Sequence, residues 1–225
     1  MQLHQGSLRW DGPADPETDA LVRDLLRVWN SVHQGMVVYG PWFEARLSHL
    51  IRGWLPEGWT TSGPTQVYCP DRPGLRSRSW DIIVHRTDVG DVPPEAFPGA
   101  GWPLVPRRSV ALVIDTKTNF STPAAYARQA AFNLMNDSGE PQLTFLGSGI
   151  VPVVLAVTSS MGPDAMEKAG AAAGLRAFSL GRYRAGPVSD GEDRQMEWVM
   201  QACADGDYPF QRFKRTIIET VAAAG

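Results

Sequence analysis

Two hydrophobic patterns divide this chain: apolar residues recurring every three or four positions, and short unbroken apolar runs. Leu21, Leu25, Val28 and Trp29 predict a helix over 16–33, with Pro16 suited to its first turn. Phe43, Leu47, Leu50, Ile51 and Trp54 form one stripe of a second helix running from Pro41 to about Trp54, and Glu44 lies at the edge of that stripe. Apolar runs predict strands at 65–69, 79–85, 110–117 and 151–158, with a shorter one at 175–180. Thr122-Pro123 reads as the cap and first residue of a helix reaching about Asn136, and the alanine-rich 163–173 as another. Residues 192–202 and 210–223 are expected to be C-terminal helices. Four prolines and several glycines mark 86–104 as an irregular loop. The order helix, three strands, helix, strand, with additions at both ends, predicts an α/β fold in a single domain over 1–225. Its core spans about 40–160, with an N-terminal helix in 1–39 and a C-terminal helical extension over 181–225.

Two of the strands carry charge where an apolar run predicts none. In Val110-Ala-Leu-Val-Ile-Asp115-Thr-Lys117 the alternation of strand side chains puts Asp115 and Lys117 on one face and Thr116 on the other. Asp81 sits inside Trp80-Asp81-Ile-Ile-Val84. A charge beside a core is costly unless it is paired, solvated or bound to a metal. The pair at 115 and 117 is therefore either an ion pair at a strand end or, with Asp81 on the neighbouring strand, part of a divalent-metal site.

Composition narrows the setting. Hydrophobic residues make up 43% and charged residues 20%, which fits a folded domain rather than a disordered chain. The net charge of −3 excludes a global basic field, so a polyanion requires a local basic patch or a partner. Cys69 and Cys203 are isolated, which excludes a cysteine zinc motif and fits a reducing cytoplasm. No apolar run approaches the about 18 residues of a membrane span, and residues 1–10 lack the apolar centre of a secretory signal. The expectation is a soluble cytoplasmic protein.

With Asp81, Asp115-x-Lys117 and Glu44 in this order, the chain resembles the PD-(D/E)XK nuclease superfamily over about residues 40–160. Ser79-Trp-Asp81-Ile-Ile-Val84, followed by a proline-rich loop before the second motif, resembles an uncharacterised bacterial branch. The resemblance implies a restriction-endonuclease-like core, a mixed central sheet flanked by helices. It implies a Mg2+- or Mn2+-dependent nuclease acting on nucleic acid, DNA favoured, in bacterial restriction, repair or antiviral defence. Asp81 matches the first acid, Asp115 the second, Lys117 the lysine and Glu44 the helical glutamate of many members. Gln129, sharing a predicted stripe with Tyr126 and Asn133, matches a glutamine of recombination-type members. Their following tyrosine is replaced here by Asn133, and the commoner glutamate at the second acid by Asp115.

The chemistry accounts for these residue types. Phosphodiester hydrolysis needs an activated water and neutralisation of developing charge, which hard divalent cations held by carboxylates supply. The expected ligands are Asp81, Asp115 and the carbonyl of Thr116, with Glu44 at a second ion or a water and Lys117 polarising the attacking water. The competing expectation is a catalytically silent nuclease-like scaffold that binds nucleic acid or a protein partner; a homodimer suits double-strand cutting. Arg76, Arg78, Arg86, Arg107 and Arg108 flank the strands where they could meet phosphates, though each is read individually as a surface arginine; Trp80 could stack a base but is read as core, and His85 falls on the face of Asp81.

Overall fold

The computed structural model describes residues 7–31, 36–72, 76–88, 104–120, 122–124, 145–185 and 196–225. Its strands are β1 (Ser7–Trp10), β2 (Trp59–Ser62), β3 (Thr65–Tyr68), β4 (Arg76–Trp80), β5 (Ile82–Arg86), β6 (Leu104–Pro106), β7 (Val110–Asn119), β8 (Val151–Ser159), β9 (Arg176–Ala185) and β10 (Met196–Met200). The described helices are α1 (Pro16–Ser31), α2 (Met36–Trp54), α3 (Pro163–Ala172) and α4 (Pro209–Ala224).

A seven-stranded mixed sheet, ordered β1-β10-β9-β8-β7-β5-β2, forms the middle layer, and a three-stranded sheet, β4-β3-β6, lies beside it. β7, β8 and β9 run parallel, while β5 pairs with β7 antiparallel. The alternation of β7 and β8 sorts the core into two sides. Leu112, Ile114, Val153 and Leu155 join Phe43, Leu47, Ile51, Phe210 and Phe213 under α1, α2 and α4. On the other side Val113 packs with Trp80, Ile83 and Val105 against the small sheet, and Val154 and Ala156 pack with Met166 under α3. This is a helix, sheet, and helix-plus-small-sheet arrangement, as the apolar stripes require.

Local chemistry sets the helix ends. The carboxylate of Asp15 accepts the Thr18 N–H at 2.8 Å, capping α1, and its other oxygen accepts the Gln211 amide at 2.9 Å. The starts of α1 and α4 are thereby joined. α2 begins five residues before Pro41, which lies inside it at the cost of one intrahelical bond.

The structure corrects several expectations. Residues 196–200 form β10, not part of a helix over 192–202: Met196, Val199, Met200 and Cys203 mimic helical spacing, but Trp198, Val199 and Met200 are consecutive and all buried, as in a strand covered on both faces. Both ends of the chain thus contribute strands to the central sheet, since β1 pairs parallel with β10. The expected strand 79–85 is two strands: Trp80 pairs with Thr65 in the small sheet, and Ile82 with Ile114 in the large one. The chain changes sheets at Asp81. The proposed helix 122–136, apart from Pro123 and Ala124, and with it Gln129, lies outside the described residues.

Candidate metal and phosphodiester site

The sheet change explains why a carboxylate belongs at position 81. β5 begins at Ile82, opposite Ile114, so beyond Ile114 that edge of β7 has lost its backbone partner. The Asp81 carboxylate replaces it: Oδ2 accepts the Thr116 N–H at 2.6 Å and the Thr116 hydroxyl at 2.9 Å. The strand edge is satisfied by a side chain, and that side chain is held rigidly against residues 115 and 116.

Asp115 is buried, 4% exposed, and its Oδ2 receives two cations, Lys117 Nζ at 2.7 Å and Arg78 Nη2 at 2.8 Å. The Lys117 ammonium also donates to the Thr116 carbonyl at 3.1 Å. Burial, then the charge of Asp115, raises the Asp81 carboxyl above its ordinary range, and a hydrogen bond between the two carboxyls adds to this. Glu44, half-buried on α2, is raised as well, first by burial and then by the charges of Asp81 and Asp115, against the pull of Lys117. Glu44, Asp81, Asp115 and Lys117, taken from a helix, the junction between β4 and β5, and β7, therefore lie close enough to feel one another's charge.

These groups suit a hard divalent cation. Asp81, Asp115 and the Thr116 carbonyl are all oxygen donors, and the mutual repulsion that raises Asp81 is what a cation between carboxylates relieves. Among the described residues no three acidic, histidine or cysteine side chains close a ready-made cage. The candidate direct donors are the aspartate pair and the Thr116 carbonyl, a set that leaves room for the waters Mg2+ retains.

Arg78 is the site residue that sequence reasoning passed over as a surface arginine. Its guanidinium lies 4.2 Å from the centroid of Trp80, which is 1% exposed. Arg78 and Trp80 alternate onto one face of β4 just before Asp81, a spacing that was available in the sequence. His85, by contrast, is not brought to the site. A bulge between Val84 and His85 breaks the alternation, and its ring instead contacts the Ser62 hydroxyl at 2.8 Å and the Arg86 carbonyl at 3.0 Å. Arg86 pairs with Asp88, and Arg107 donates to the Leu146 carbonyl.

Gly63 makes the sheet change possible. It links β2 of the large sheet to β3 of the small one, and a Cβ there would stand 1.9 Å from the Asp81 carbonyl oxygen. Gly63→Ala is expected to force the Asp81 backbone away from β7. The expected result is a loss of about 1–3 kcal/mol in denaturant unfolding, with weakened Mn2+ binding measured by calorimetry.

No family model matches the chain, and no curated protein sequence matches it. Solved structures do. The chain is similar to NucC of P. aeruginosa ATCC27853 in its cAAA-bound form, at 15% identity, covering 95% of this chain and 93% of that one with a TM-score of 0.58. It is similar to NucC of E. coli MS115-1 in the cAAA-bound form, at 15% identity, 96% and 92% coverage and TM-score 0.58. The apo form of the latter gives 14% identity, 93% and 91% coverage and TM-score 0.53. This chain shares the fold of NucC, a mixed α/β, restriction-endonuclease-like architecture.

Proposed function

We propose, from the PD-(D/E)XK nuclease fold and the cluster at Asp81, that this chain is a metal-dependent nuclease hydrolysing phosphodiester bonds in DNA, serving bacterial antiviral defence. One observation carries the reading: the fold brings Asp81, Asp115 and Lys117 together at a change of sheet, with Glu44 beside them.

Asp81, Asp115 and the Thr116 carbonyl would hold Mg2+ or Mn2+, which would supply an activated water and charge neutralisation at the phosphate. Lys117 is the general partner of the attacking water. Its side chain is 35% exposed, and the ammonium is anchored by Asp115 and the Thr116 carbonyl at the edge of the site. Asp115 orients that amine, and Asp81 fixes the strand that carries both. Glu44 faces the same charges from α2 and orients water or a second ion.

Purified protein is expected to cut plasmid and linear DNA when supplied with Mg2+ or Mn2+ and to stop on chelation. RNA is run in parallel, and cAAA, the molecule bound in two of the neighbours, is included as an additive. Lys117→Met should lower cleavage by about 10²-fold with an unchanged circular dichroism spectrum. Undiminished cutting by that variant overturns the assigned role of the lysine. A silent, DNA-binding scaffold is favoured by a specific observation, the engagement of Asp115 by two cations. It predicts no heat of Mn2+ binding and no cutting.

Among the described residues no helix is long and apolar enough to cross a membrane.

A further inference from the structure

We propose that Arg78 is the resident counter-ion of the Asp81–Asp115 pair, displaced from Asp115 when a divalent cation enters, and so sets the metal concentration at which the site loads. This rests on the metal-site reading above.

The same Asp115 oxygen that receives Lys117 at 2.7 Å receives Arg78 at 2.8 Å. Asp115 Oδ2, already holding two cationic donors, has no lone pair directed at a third cation, so a metal that ligates Asp115 through Oδ2 rather than Oδ1 must evict one of them. Lys117 belongs to the same strand as Asp115 and has a second acceptor in the Thr116 carbonyl. Arg78 reaches across from the small sheet and also lies on the indole face of Trp80. That contact survives release from Asp115, so the guanidinium has a place to remain without unfolding β4.

The charge balance points the same way. Glu44, Asp81 and Asp115 carry up to three negative charges in a partly buried space, against two positive charges from Arg78 and Lys117. Removing Arg78 deepens the negative field and vacates the Asp115 oxygen, and both effects favour a divalent cation. Once displaced, a planar guanidinium held on Trp80 beside the site is placed to meet a phosphate oxygen.

The test measures metal affinity rather than cleavage. Mn2+ binding to the full-length chain is followed by calorimetry and by the loss of the free-ion electron paramagnetic resonance signal. Arg78→Gln is expected to tighten Mn2+ binding about tenfold. Arg78→Lys, which keeps the charge but loses the planar fork and the stacking, is expected to tighten it about threefold. Equal or weaker binding by Arg78→Gln overturns the proposal, and if that variant does not fold, equal or weaker binding by Arg78→Lys overturns it instead. Wild-type binding that Asp81→Asn abolishes, without tightening in either Arg78 variant, leaves the metal site standing and removes only Arg78's role. Absence of Mn2+ binding in the wild type and both Arg78 variants, even at millimolar metal, overturns both readings together.

Discussion

Asp81→Asn is expected to slow Mg2+-dependent DNA cleavage by about 10³-fold or more, while the metal-free protein melts at the wild-type temperature or above it. The two halves of this expectation come from one geometry. An asparagine carbonyl accepts the Thr116 N–H and hydroxyl as the carboxylate does, so the edge of β7 stays satisfied. Its amide then faces Asp115 as a donor, replacing one carboxylate by a partner for the other. What is lost is the anionic oxygen that holds the metal. A residue kept for chemistry at a cost in stability behaves this way; a purely structural aspartate does not.

The same residue predicts a pH dependence in chelator-containing buffer. The folded Asp81 carboxyl is raised by burial and by Asp115, so above about 3.9, where an unfolded aspartate ionises, the native chain holds more protons than the unfolded chain. Stability therefore falls as pH rises from there through the higher folded value. Glu44, raised for similar reasons, adds a slope of the same sign. Urea midpoints measured across pH 4–8 should show that decline, and Asp81→Asn should flatten it. A wild-type midpoint that climbs steadily across this interval contradicts the crowding of the carboxylates.

Phe213→Ala is expected to lower the unfolding free energy by about 3–5 kcal/mol. The ring is fully buried, stacked on Phe210 at 5.8 Å and set edge-on to Phe178 of β9 at 5.9 Å and Trp54 of α2 at 6.3 Å. It joins three elements at once, so the surrounding side chains have little freedom to fill the space it leaves. Because Trp54 ends the helix that carries Glu44, hydrogen exchange along α2 should accelerate more than along β8. A loss below about 1 kcal/mol would show that the helical layer closes over the cavity.

The parts of the fold legible in the sequence are those whose pattern is local. β7 and β8 are long, apolar and bounded, and the acid-x-lysine at 115 and 117 declares itself because charge is costly there. Glu44 is legible as a helical acid at the edge of an apolar stripe. What escaped depends on contacts distant in sequence. Residues 196–200 satisfy a helical spacing and a strand equally, and the presence of β1 and β9 on either side decides between them. The division at Asp81 is invisible locally because Ser79–His85 alternates well enough for one strand; Thr65 and Ile114 claim its two halves for different sheets. Arg78 looks like any arginine on a polar strand until the change of sheet turns it toward Asp115.

The pairing of β1 with β10 has a consequence for how the chain is made. Ser7 lies beside Glu197, so β1 has no partner until a strand far downstream has been synthesised. The residues of the candidate site, 44 to 117, leave the ribosome well before the sheet can close. Contacts of such sequence separation slow folding and leave a strand edge exposed in the nascent chain. Removal of residues 1–10 should therefore expose the β10 edge that pairs with β1 and favour aggregation during expression, even though no residue of the candidate site has been touched.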